Sequence, residues 1–340
     1  MSYKRLDPED VLISAESVTA PAWTGNTVTL TTFFTSSNQA LSASGDYYYD
    51  VYQTGSSVDS AEVQFSVGYG DYVGSGSLLY NSNVDGYSPS SVSYNTYKNL
   101  ILEDKSAASK FKFGNDVESE KIYFISVNRA RYKQNTLPTT FELHLSGSLD
   151  SKAVLKAEIP STLTFNDAGR TYQIISGSLT DTSDQTATGL RDVSGSYGLF
   201  QPDIGVIILN GNALDAAIAV GGLSFGTLRN SNTDDDNSGR FFRSISGSEY
   251  FKLSSDETLS SNFVFVRARN SEFNYSSNPS YLTGSGGDVR YNVLIDNPRT
   301  YITAVGLYND NNDLLAVAKL SRPLLKDSTR EALIRVKLDY

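Results

Sequence analysis

Apolar side chains recur at every second position in short runs bounded by Gly, Ser, Asn and Thr. That period of two matches the pleat of a half-buried β-strand and leaves little room for amphipathic helices. Thr27-Val28-Thr29-Leu30 puts Val28 and Leu30 on one face, and Glu62-Val63-Gln64-Phe65-Ser66-Val67 repeats the pattern. Residues 121–127 and Phe141-Glu142-Leu143-His144-Leu145 follow it, whereas Ile204-Gly205-Val206-Ile207-Ile208-Leu209 is apolar throughout and reads as a strand covered on both faces. Charged residues are only 19% of the chain. The expectation is a mostly β protein of two antiparallel β-sandwich-like domains with few short helices.

Three short helices are expected. Asp7-Pro8-Glu9-Asp10 has an N-cap, a proline at the first helical position and acids in the first turn. Residues 91–102 place Tyr94, Tyr97 and Ile101 on one stripe, and residues 212–218 offer a capped, alanine-rich turn or two. At the C-terminus, Ser328-Thr329-Arg330-Glu331 matches a capping box, but Ile334, Val336, Leu338 and Tyr340 alternate with charges, which predicts a terminal strand. The polar break at 147–151 predicts a boundary between a 1–150 N-terminal β domain and a 151–340 C-terminal one. The latter is expected to hold a long surface loop at 270–288 and a hairpin within 301–340, with Pro323 marking where ladder pairing stops. Val127-Asn128-Arg129-Ala130-Arg131 and Val266-Arg267-Ala268-Arg269 echo one another and suggest two related β units.

Composition removes whole classes of chemistry. The absence of cysteine excludes disulfides, thiolate nucleophiles and cysteine-held metals, and a single histidine excludes a multi-imidazole zinc site. A net charge of −10 argues against nucleic acid or anionic lipid as partners. The N-terminus lacks the apolar core of a signal peptide and no run is long enough to span a bilayer, so a soluble protein made in the cytoplasm is expected. His144 reads as a solvent-side strand residue sharing a face with Glu142, without a nucleophile elbow elsewhere. Asp234-Asp235-Asp236-Asn237-Ser238-Gly239 starts like a calcium loop but has Ile245 where the bidentate Glu belongs, and reads as a solvated loop tip. The Gly68 to Ser77 cluster lacks phosphate-loop spacing and reads as a turn or bulged hairpin. A carboxylate pair for glycan cleavage has no motif to support it. No enzyme activity, cofactor or metal is expected.

Large amphipathic rings in polar surroundings (Tyr47, Tyr48, Tyr49, Tyr52, Tyr69, Tyr72) suit contact with protein or glycan. Residues 299–340 carry seven Lys and Arg against five Asp and Glu, about +2, which leaves about −12 on the rest; opposite signs favour docking between copies or to an acidic neighbour.

Phe273-Asn274-Tyr275-Ser276-Ser277-Asn278-Pro279-Ser280-Tyr281, then Tyr301-Ile302-Thr303-Ala304-Val305-Gly306-Leu307-Tyr308-Asn309-Asp310, then Leu314-Leu315-Ala316-Val317-Ala318-Lys319-Leu320-Ser321-Arg322-Pro323, and the closing Val336-Lys337-Leu338-Asp339-Tyr340 resemble virion structural proteins of contractile-tailed bacteriophages, particularly those infecting cyanobacteria. Residues 69–77 and 122–133 resemble the same group, while 151–265 do not. The resemblance implies a non-enzymatic tail or baseplate subunit of the virion that contacts other virion proteins and copies of itself. Candidate contact residues are Tyr69, Tyr72, Arg129, Arg131, Tyr275, Tyr308, Lys319 and Arg322. The alternatives are a host-surface glycan-binding module at the tail tip, using residues 47–52 as a stacking platform, and a capsid decoration protein.

Overall fold

The apolar run at 204–209 becomes β15 (Val206–Asn210), buried along its whole length in a computed structural model that describes residues 4–35, 47–84, 88–114, 116–180, 196–229, 236–284 and 286–339. Val206 and Ile208 join one apolar cluster, Ile207 and Leu209 another, because successive strand residues point to opposite sides of the sheet. The strand pairs antiparallel with β14 (Gly198–Gln201) and β8 (Lys121–Val127). They lie in a 12-stranded antiparallel sheet. Its order is β2 (Thr29–Leu30), β16 (Phe251–Lys252), β10 (Glu142–Ser146), β11 (Lys152–Ala157), β13 (Gly169–Ser176), β14, β15, β8, β5 (Val63–Asp71), β4 (Tyr48–Tyr52) and β3 (Phe34–Thr35), with β12 (Thr164–Asn166) on β13.

The sheet bends back on itself in a sandwich-like way. Phe65 of β5 meets Phe251 of β16 at 5.3 Å, and Phe141 stacks on Phe200 of β14 at 4.9 Å. Trp23 fills the space against Phe65 and Phe251, and its indole N–H donates to the Phe251 carbonyl at 3.0 Å. The outer face of β5, β8 and β15 is covered by α1 (Pro89–Ile101) and the hairpin β6 (Phe111–Phe113) and β7 (Val117–Ser119). Tyr94 and Ile101 point inward from α1 as their spacing predicts. Glycine makes the close approach: a Cβ on Gly70 would lie 2.9 Å from the Tyr94 backbone nitrogen, and one on Gly68 would lie 2.3 Å from the Phe124 ring. The first half of the glycine cluster is therefore strand, and only its second half turns.

Helix α2 (Gly211–Asp215) follows β15, with the Asn210 side chain accepting from the Asn212 N–H as its N-cap. Helix α3 (Asp236–Ser246) replaces the loop tip expected at 234–239, of which Asp234 and Asp235 lie outside the described residues. Phe241 and Ile245, four apart, are fully buried in the core, and α3 packs on β4, β5 and β10.

The chain divides into unit 1, Met1–Ser17 with Thr258–Tyr340, and unit 2, Val18–Glu257. This corrects the boundary expected after residue 150. The polar segment at 147–151 joins β10 to β11, which pair directly, so it is a hairpin connection inside one sheet. The middle stretch 151–265 supplies β11 to β16 and most of β17 (Ser254–Ala268).

In unit 1, β1 (Val11–Pro21), β17 and β22 (Ala332–Asp339) form a sheet in that order. Within unit 2, β9 (Asn135–Thr136) pairs with Ser255 and Asp256 of β17. Pairs β18 (Leu282–Thr283) with β19 (Asp288–Val289), and β20 (Arg299–Tyr308) with β21 (Leu314–Asp327), are two-stranded; α4 (Val293–Asp296) is a single turn. The C-terminal strand and the hairpin are as expected. Pairing does not stop at Pro323, however: the register shifts between Ile302 and Ala304, so that Leu320 to Pro323 bulge and pairing resumes at Leu324. The helix start expected at Asp7-Pro8-Glu9-Asp10 is a 3-10 turn (Pro8–Asp10), in which the Asp7 N–H donates to the Asp10 carboxylate at 3.1 Å. The Arg-Ala-Arg echo has no structural counterpart, since Arg129–Arg131 is a 3-10 turn whereas Arg267 and Ala268 remain in the β17 ladder.

Candidate functional site

Four of the eight expected contact residues lie in unit 2, and three of them are engaged in its own packing. Tyr69 is 1% exposed; its ring meets Tyr123 at 5.2 Å and its hydroxyl donates to Asp71 at 3.0 Å, so it is a core residue and not a contact residue. Tyr72 packs edge-on against Tyr94, lies under the Lys110 ammonium and donates to the Ala107 carbonyl at 2.8 Å. Arg131 reaches the Glu62 carboxylate at 2.8 Å and the Thr24 hydroxyl. Arg129 remains exposed, with its guanidinium 4.6 Å from the Tyr132 ring centroid. The ring platform at 47–52 is also split by strand alternation: Tyr47 and Tyr48 are exposed, while Tyr49 is buried and stacks on Phe242 at 5.9 Å.

The turn after β5 is organised by buried Asp71. One carboxylate oxygen accepts from the Val73 and Ser75 N–H groups, and the other faces Arg229 Nε at 2.9 Å. Burial raises the Asp71 carboxyl above its ordinary pKa despite Arg229, and burial likewise raises the Tyr69 phenol.

The most concentrated polar chemistry was expected to face solvent. Glu142 is 0% exposed and His144 is buried, because Tyr250 and residues 178–179 close over the outer face of β10. One Glu142 oxygen accepts from the Tyr250 hydroxyl at 2.5 Å, His144 Nε2 at 3.0 Å and Lys252 Nζ at 3.4 Å. The other accepts from the Leu179 N–H at 2.7 Å and the Ser178 hydroxyl at 3.1 Å. Burial pushes the carboxyl up, but the Tyr250, Leu179 and His144 donors and the Lys252 charge outweigh it and hold the pKa at about 2. Five donors on one carboxylate make a locked anion that pins two segments to the sheet, which is the opposite of a base poised near neutrality. Among the described residues no group of three or more His, Asp or Glu is placed to hold a metal ion, and no helix is long and apolar enough to cross a membrane.

Unit 1 differs in kind. Among the described residues, both clusters of buried apolar side chains lie in unit 2. In unit 1 the hairpin β20–β21 exposes Tyr301 (60%), Leu315 (68%), Val317 and Tyr308, and β1 exposes Leu12 and Ile13 (71%). The other four expected contact residues are here. Tyr275 is exposed beside Tyr281, and Tyr308, Lys319 and Arg322 are exposed on the hairpin. Side-chain hydrogen bonds across 27 to 56 residues tie the 270–274 segment to the hairpin. Buried Lys326 donates to the Asn270 carbonyl at 3.0 Å and the Asn274 side-chain oxygen at 2.7 Å, and Thr300 donates to the Phe273 carbonyl at 2.5 Å. The 270–288 stretch is thereby tied to β20 and β21 instead of running free.

A groove of about 410 Å³ lies between β21 and β22, with Leu320, Leu324 and Leu333 as apolar wall and Lys319, Arg322 and Arg335 at its lip. None of these cations has a carboxylate partner among the described residues; Arg335 lies 5.5 Å from the Phe263 ring centroid. β22 is an outer strand of its sheet and β21 pairs only with β20, so both leave a ladder edge open among the described residues. Open edges carry alternating unpaired N–H and C=O groups, the physical requirement for accepting another strand. No family model, curated protein or solved structure matches the chain.

Proposed function

We propose that this chain is a non-enzymatic structural subunit that assembles through β-surface contacts of unit 1, as a tail or baseplate component of a contractile-tailed phage particle. The observation that carries the reading is the contrast in burial: unit 2 encloses two aromatic and aliphatic core clusters, while the hairpin and outer strands of unit 1 hold Tyr, Leu, Ile and Val in water. A two-stranded hairpin is marginal alone in water, and contiguous exposed apolar surface marks an interaction site. The saturated Glu142 network supports a scaffolding role for unit 2. The phage assignment is supported by the resemblance of segments 273–281, 301–310 and 314–323, which lie in unit 1 with the exposed surface. The partners are other proteins of the particle and further copies of the chain.

The test is quantitative mass spectrometry of gradient-purified particles of the encoding phage, with separation of tails from heads. The chain is expected in several copies per particle and in the tail fraction. Its absence from particles while it accumulates in infected cells overturns the proposal; recovery with heads alone overturns the tail assignment and supports decoration of the capsid.

A further inference from the structure

Acid at the start of β1 and base in the groove between β21 and β22 are complementary, and this names one partner of the assembly surface. β1 and β22 flank β17, so each has one open edge. On the β1 side, exposed Glu9 and Glu16 bracket exposed Leu12 and Ile13, and neither acid has an ion-pair partner among the described residues. In the groove, Lys319 and Arg322 of β21 and Arg335 of β22 stand around the apolar wall of Leu320, Leu324 and Leu333, with no acid in the lining. The part of β1 inside unit 1, residues 11–17, is one residue shorter than the 8 residues of β22.

We infer that a second copy of this chain docks its β1 edge in the groove between β21 and β22, so that the sheets of successive copies join edge to edge. This rests on the assembly reading above and specifies its self-contact. The inserted strand would satisfy outward N–H and C=O groups of β22, set Leu12, which shares a strand face with Glu16, against the leucine wall, and bring Glu9 and Glu16 to the three cations. Acid faces base and apolar faces apolar in this pairing, whereas β1 against β1 opposes acids and β22 against β22 opposes bases. The contact uses different patches on the two copies, so it propagates head to tail and closes into a ring or continues as a stack.

Sedimentation velocity of the purified full chain, from about 1 to about 100 μM in low salt, reads this association directly. The mass is expected to rise with concentration and to fall back when salt screens the charges. Glu9→Lys with Glu16→Lys, and separately Lys319→Glu with Arg335→Glu, are each expected to weaken association at least about tenfold. A 1:1 mixture of the two double variants is expected to associate again, a rescue that misfolded variants cannot give. A wild-type chain that stays monomeric over the whole range, variants of unchanged mass, or a mixture that stays monomeric each overturns the self-contact. A monomer that still enters purified tails overturns only this inference and leaves the structural-subunit reading standing; a monomer absent from particles overturns both.

Discussion

At the scale of single residues, Glu142 shows how tertiary cover changes what a side chain does. Alternation with Phe141, Leu143 and Leu145 assigns Glu142 and His144 correctly to the face opposite the apolar core. What alternation cannot register is that residues 178–179 and Tyr250, distant in sequence, close over that face. Glu142→Gln keeps the shape but turns an amide N–H toward donors that had met a carboxylate oxygen, and is expected to cost about 2–3 kcal/mol in urea unfolding. The pH dependence has a definite sign. The folded pKa of about 2 lies below the ordinary 4.5, so the stabilisation from Glu142 is fully present above 4.5 and is lost as pH falls through 2. It amounts to roughly 3 kcal/mol by linkage. Unfolding midpoints measured between pH 5 and pH 2 should fall less steeply in the Gln variant than in the wild type; equal slopes would show that Glu142 titrates normally.

Among the elements, the strands buried on both faces and the hairpin β20–β21 represent two extremes. β8 sends Tyr123 and Ile125 into the main core and Ile122 and Phe124 into the outer one, so four successive positions are committed to internal packing. β20 and β21 keep the same period of two, yet Tyr301, Leu315 and Val317 remain exposed. Replacing Leu315 and Val317 together by lysine should therefore leave the unfolding free energy of the isolated chain within about 0.5 kcal/mol, as for other surface changes. Binding of a hydrophobic dye should drop, and the association proposed above should weaken. A large loss of stability would show instead that these side chains are packed within the chain. The first turn of helix α3, Asp236-Asn237-Ser238-Gly239, has turn-like chemistry and so conceals the helix in the sequence. The Phe241 and Ile245 pair was its available signal, and the helix exists because that pair is driven into the core beside Tyr123.

For the whole molecule, uneven burial predicts uneven protection. In hydrogen exchange of the purified full chain at concentrations that hold it monomeric, amides of β8 and β15 should exchange only through global opening. Those of β20, β21 and the outer part of β1 should exchange several orders of magnitude faster. On assembly the slow set should change little, while β1, β21 and β22 gain protection. Uniform protection of both units in the free chain would contradict the division between a closed core and an open assembly surface.

What the sequence determined by itself is local: the period of two and hence the β class, the doubly buried strand at 204–209, the inward stripe of α1, and the hairpin and final strand near the C-terminus. Each follows from neighbours a few residues apart, where steric and hydrophobic preferences act without regard to the rest of the chain. Tertiary structure alone decided that β1 joins β17 and β22 from opposite ends of the sequence, which moves the unit boundary to 17/18 and 257/258. It also decided that Tyr69 and Glu142 are enclosed while Leu315 and Ile13 are not. Burial is a property of what covers a face, and the covering segments lie tens to hundreds of residues away, where no local pattern can record them.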